Sequence, residues 1–169
     1  MIGGNRTGNP EKPGTNISDK REKQDSMTLT KAQEAEVIAT MEQYATAYTK
    51  KDIRALSAVF SPTITGFGSG PDEVITNHDD FISHTKRDIS QATILSVVFS
   101  DRQIFGDGRV AWATSKTTMT FTLDGTTKQT LNGRSTMVLR NKGSRWLIEQ
   151  LHFSLPYGGQ DTGQSFPGA

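Results

Sequence analysis

Glu149 is the first place to look for acid–base chemistry. Strand alternation over residues 146–154 puts it on one face with Leu147, Leu151 and Phe153. A carboxylate among apolar neighbours is desolvated, its pKa rises, and it becomes a candidate general base or acid. The competing placement is an ion pair at a pocket rim, where its pKa would be depressed. His152 falls on the opposite face with Trp146, Ile148 and Gln150, beside Trp112 and Arg134 of neighbouring strands. There it either moves a proton or makes a hydrogen bond in an interface between copies. Arg134 is placed to hold a carboxylate or phosphate in bidentate fashion, or to pair with a polar group of a second copy. Tyr44 and Tyr48 stand one helical turn apart, so both hydroxyls can reach one pocket, or both rings can pack in the core. Ser115 and Thr117 share a face with Met119 and Phe121. Their hydroxyls either orient a ligand or satisfy one another across strands.

Other chemistries lack their residues. There is no cysteine, hence no thiolate nucleophile, disulfide or zinc–thiolate site. The three histidines, His78, His84 and His152, include no i, i+4 pair, and no metal site is expected. No serine has a neighbouring base with triad logic, Gly68-Ser69-Gly70 does not match a phosphate loop, and no cofactor motif is present. With 19 basic and 18 acidic residues, a net charge of +1, the chain lacks the concentrated basic surface that nucleic acid or an anionic membrane needs. No apolar run reaches membrane-spanning length, and the first residues lack the apolar core of a secretory signal, so a cytoplasmic protein is expected.

The elements that must position these residues follow from periodicity. Residues 1–27 are rich in Gly, Asn, Lys, Asp and Ser and read as a disordered tail, with Met27 as a second candidate start. Thr30 and Gln33 have capping-box spacing ahead of a helix with Val37, Ile38, Met41, Tyr44, Ala45 and Tyr48 on one face. Asp52 caps a shorter helix that Pro62 stops. A short strand to Phe67 leads through Gly68-Ser69-Gly70-Pro71-Asp72 to a third helix. Asn77 caps it, and Phe81, Ile82, Thr85 and Ile89 form its expected inner face. From Ala92 the period becomes two, giving four long strands in meander order. Asp124-Gly125 and Asn141-Lys142-Gly143-Ser144 supply the later turns. Residues 158–169 read as a flexible C-terminal tail. The pattern is α+β, with three N-terminal helices packed on a curved, mostly antiparallel sheet.

Three segments carry a family resemblance: Gly66-Phe67-Gly68-Ser69-Gly70-Pro71-Asp72-Glu73, Ala111-Trp112, and Gly133-Arg134…Thr136…Val138 with Trp146…His152-Phe153-Ser154…Pro156. Together they resemble the SnoaL-like branch of the nuclear-transport-factor-two-like superfamily, over residues 28–157. The last hairpin also resembles the calcium/calmodulin-dependent kinase association domain. The resemblance implies a cone-shaped half-barrel, a pocket between helices and sheet, and a homodimer through the sheet's outer face. The interface would use Trp112, Arg134, Val138, Ile148 and His152. The basic pocket residues of the kinase association domain fall at Met137 and Phe153 here, so an anion pocket of that kind is not expected. Two functions follow. One is a pocket protein for a small apolar ligand, acting as an isomerase, cyclase or dehydratase, with Glu149 or His152 catalytic and Tyr44, Tyr48, Ser115, Thr117, Met137 and Phe153 touching the ligand. The other is a homo-oligomeric assembly module without catalysis. The scaffold hosts both, so the site must decide.

Overall fold

The computed structural model describes residues 28–168, so the expected N-terminal tail, residues 1–27, lies outside the described residues. Helix α1 spans Lys31–Thr49, α2 Ile53–Val59 and α3 His78–Gln91. The strands are β1 Phe60–Phe67, β2 Val74–Ile75, β3 Thr93–Gly106, β4 Val110–Thr122, β5 Lys128–Asn141 and β6 Trp146–Ser154. After Ser154 the described chain has no further helix or strand.

Each helix begins where a side chain satisfies its free N–H groups. At α1, Thr30 Oγ1 accepts from the Gln33 N–H, and Gln33 Oε1 accepts from the Thr30 N–H at 2.9 Å. Asp52 accepts from the Ala55 N–H at 2.9 Å, and Asn77 from the Asp80 N–H at 3.0 Å. The β5–β6 turn closes with Lys142 N–H donating to the Arg145 carbonyl, and Gly143 supplies the required φ of +87°.

One unclosed, curved sheet runs in the order β2-β1-β6-β5-β4-β3, with only β1 and β6 parallel, and the helices cover its inner face. The two-residue strand β2, which the sequence reading did not anticipate, extends the sheet beyond β1. On β4 and β5 the alternation is regular. Ala111, Ala113, Ser115, Thr117, Ser135, Met137 and Leu139 are buried inward, and Trp112, Lys116 and Arg134 are exposed outward. Against the inner face, Val37, Met41, Leu56, Ile64 and Phe81 complete the core.

Strand β6 breaks the alternation. Its ladder with β5 pairs Leu139 with Ile148 but Val138 with Gln150, so Glu149 is the extra residue of a β-bulge. Before the bulge Trp146 and Ile148 face the helices, and the Trp146 indole N–H donates to Glu36 of α1 at 3.0 Å. After it, Leu151 is buried and His152 is exposed. This overturns two sequence expectations. Ile148 is 0% exposed and cannot sit in an outer-face interface, and Glu149 does not share a face with Leu151 and Phe153. Among the described residues, no helix is long and apolar enough to cross a membrane.

Candidate functional site

A cavity of about 240 Å³ lies between the helices and the inner face of β3–β6. Its wall is mostly apolar, with Phe81 from α3, Phe99 from β3, Met119 and Phe121 from β4, Met137 from β5 and Phe153 from β6. Gly133 on β5 makes room for Phe153: a Cβ there would meet the Phe153 ring.

Two pairs of polar side chains face this cavity, each pair one helical turn apart. Tyr44 and Tyr48 come from α1, their ring centroids 5.8 Å apart, and Tyr44 meets Phe60 edge to face and stacks on Phe99. His84 and Asp88 come from α3. The pairs meet where the Tyr48 hydroxyl donates to Asp88 Oδ2 at 2.7 Å. Burial pushes the Asp88 carboxyl up, the Tyr48 hydrogen bond pulls it back, and the charge of Glu73 raises it again; the net direction is up. Both tyrosines are driven above their ordinary range, first by burial, so each stays a hydrogen-bond donor. His84 Nδ1 is buried with no hydrogen-bond partner.

The loop between β1 and β2 closes one side, contributing Gly68, Ser69 and Glu73. Glu73 is anchored: its Oε2 accepts from the Gly70 N–H at 2.8 Å, and Arg87 of α3 donates to its Oε1 at 3.0 Å. Arg87 also grips Asp72. The one guanidinium beside Asp88 in sequence is therefore committed to the loop.

Of the residues expected to touch a ligand, Tyr44, Tyr48, Thr117, Met137 and Phe153 line the cavity. Ser115 does not. Its hydroxyl meets Ser135 at 3.3 Å, and Ser135 in turn bonds Thr117, so these hydroxyls satisfy one another across β4 and β5. Of the two candidate catalytic residues, neither reaches the cavity. His152 is exposed on the outer face with its ring 6.0 Å from that of Phe67. Glu149 is held by Arg140 at 3.0 Å, Lys142 at 3.3 Å and the Thr63 hydroxyl at 3.1 Å. Partial burial pushes its carboxyl up, but Lys142, Thr63 and Arg140 together hold it below the ordinary carboxylate range. The desolvated, raised-pKa role expected for Glu149 belongs instead to Asp88.

The expected inner face of α3, Phe81, Ile82, Thr85 and Ile89, leaves out His84 and Asp88 because it follows mainly the apolar residues of the helix. The cavity-facing stripe is Phe81, His84, Thr85 and Asp88, an i, i+3, i+4, i+7 series. That spacing is present in the sequence, and two ionisable residues within it are the signal that could have found the site.

The profile of the SnoaL-like domain family matches residues 37–158. No curated protein matches the chain. Among solved structures, a nuclear-transport-factor-two-like protein of unknown function from Pseudomonas putida superposes with a TM-score of 0.66 at 16% identity, covering 83% of this chain and 98% of that one. A candidate calcium/calmodulin-dependent protein kinase II association domain from Xanthomonas campestris gives 0.67 at 18%, covering 77% and 91%. A ketosteroid isomerase-like protein from Erwinia carotovora gives 0.63 at 17%, covering 73% and 95%.

Proposed function

The chain belongs to the SnoaL-like domain family of the nuclear-transport-factor-two-like superfamily, and from that premise we propose that it binds a small apolar molecule and exchanges a proton with it. The reaction class is that of an isomerase, cyclase or dehydratase. The observation that carries this is the Asp88 carboxylate, placed in an apolar cavity, bonded by the Tyr48 hydroxyl and shifted toward neutrality by burial. A carboxylate tuned upward is suited to take a proton from carbon near neutral pH. Tyr48 orients it, and Tyr44 remains a donor for charge developing on the ligand. The ketosteroid isomerase-like protein from Erwinia carotovora, which shares the fold, supports the class.

The test does not need the natural substrate. A panel of cyclic ketones, β-hydroxy ketones and iminium salts is incubated with the protein in D2O, and C–H exchange is followed by proton NMR. Exchange on at least one compound class should fall by roughly 10²-fold or more in Asp88→Asn. Equal exchange with wild type and variant across the panel would remove Asp88 as the proton-transfer group.

A second reading, assembly of identical chains, is favoured by the sheet's outer face. Phe105 and Trp112 stack there at 5.9 Å, and Phe67 and Val98 are more than half exposed. The interface proposed keeps Trp112, Arg134, Val138 and His152 and omits Ile148. It does not compete with the cavity, which lies against the other face of the sheet.

A further inference from the structure

Asp88 enters no ion pair among the described residues, and no lysine or arginine lines its cavity. Arg87, next to it in the chain, is held by Asp72 and Glu73. The other charged group lining the cavity is Glu73, another carboxylate. One turn before Asp88, His84 leaves its buried Nδ1 open. Around these groups stand six aromatic rings, those of Tyr44, Tyr48, Phe81, Phe99, Phe121 and Phe153.

We infer that this cavity selects a ligand with a positively charged nitrogen, a protonated amine or imine on an aromatic or alicyclic body, paired with Asp88. The inference rests on the reading of the cavity as the ligand site and narrows its ligand from an apolar molecule to an apolar body that carries one charged nitrogen. The electrostatics separate the alternatives. An anionic ligand meets the Asp88 carboxylate, with Glu73 already paired to Arg87 and no lysine or arginine lining the cavity to receive it. A neutral ligand leaves Asp88 desolvated with the Tyr48 hydroxyl as its hydrogen-bond partner and without an ion pair. A cation restores the missing partner, and its own desolvation is offset by a carboxylate whose dehydration the fold already bears. Aromatic faces add attraction for the same charge. An N–H of the ligand can also occupy the open position at His84 Nδ1.

The proton transfer is balanced for a protonated imine. Asp88 takes a hydrogen from the carbon next to C=N, and the C–H electron pair becomes a C=C bond. The C=N pair moves onto nitrogen, leaving a neutral enamine and a neutral carboxyl. Charge annihilation is favoured where the dielectric is low. The same step on a ketone moves the charge to an oxygen that has only neutral donors around it.

The experiment compares three probes of one shape by calorimetry near neutral pH: phenylbutylamine, phenylbutanol and phenylbutanoate. Phenylbutylamine should bind about tenfold or more tighter than phenylbutanol, with phenylbutanoate weakest. Asp88→Asn should collapse the difference between amine and alcohol. Equal affinity for amine and alcohol, a preference for the carboxylate, or an amine preference that survives Asp88→Asn overturns the inference while leaving the cavity as a ligand site. Failure of all three probes to bind at millimolar concentration removes both.

Discussion

Glu149 and Asp88 are carboxylates of one fold with opposite titration. Burial pushes both upward, and the difference lies in their partners. Glu149 meets two cations and a hydroxyl in direct contact, whereas Asp88 bonds only a neutral phenol, and the pull of Arg87 and His84, neither in an ion pair with it, is outweighed by burial and the charge of Glu73. The contrast gives a pH-resolved expectation for Glu149→Gln. A folded pKa below the unfolded value of about 4.3 stabilises the native state above that pH, and this contribution is lost as pH falls through the folded pKa. Glu149→Gln should therefore melt below wild type at pH 8, and the two should converge at strongly acid pH. The gap should be on the order of a degree or two, because the Arg140 and Lys142 side chains are about half exposed to screening water. A variant as stable as wild type at pH 8 would show the three-partner cluster to be energetically idle.

At the scale of elements, β1 and β6 carry the strictest packing. A Cβ on Gly66 would collide with the Leu151 carbonyl oxygen, in the middle of the parallel pairing that brings Thr65, Gly66 and Phe67 beside Gln150, Leu151 and His152. The neighbour is backbone, so it cannot rotate away. Gly66→Ala should cost about 3 kcal/mol and lower the melting temperature by several degrees. Gly143→Ala, at a turn with φ of +87° and open space around it, should cost only about 1 kcal/mol. Comparable melting temperatures for the two variants would mean that β1 yields where the packing says it cannot.

For the whole molecule, the outer sheet face sets the expected state. Phe67, Val98, Phe105 and Trp112 are 53%, 52%, 55% and 41% exposed, and all belong to one continuous sheet. An apolar surface of this kind is better covered by a second copy than by water. Light scattering at micromolar concentration should report a dimer, and Trp112→Lys should shift it toward monomer without altering probe binding in the cavity. A monomeric wild-type protein would refute the interface.

The caps at Thr30, Asp52 and Asn77, the turn at Gly143 and the regular alternation of β4 and β5 were legible in the chain because each is a local matter. A side chain reaches a backbone group three residues away, or side chains alternate with a period of two. Five of the cavity residues, Tyr44, Tyr48, Thr117, Met137 and Phe153, followed from the same periodicities and the family resemblance. The acid–base centre did not. Glu149 is turned away by a bulge that arises where β6 pairs with β1 and β5 at once, and apolar residues at both 148 and 151 fit either parity. Asp88 acquires its environment from Tyr48, forty residues earlier. Its role depends on how α3 is rotated against α1, which is decided by long-range packing and not by any local pattern.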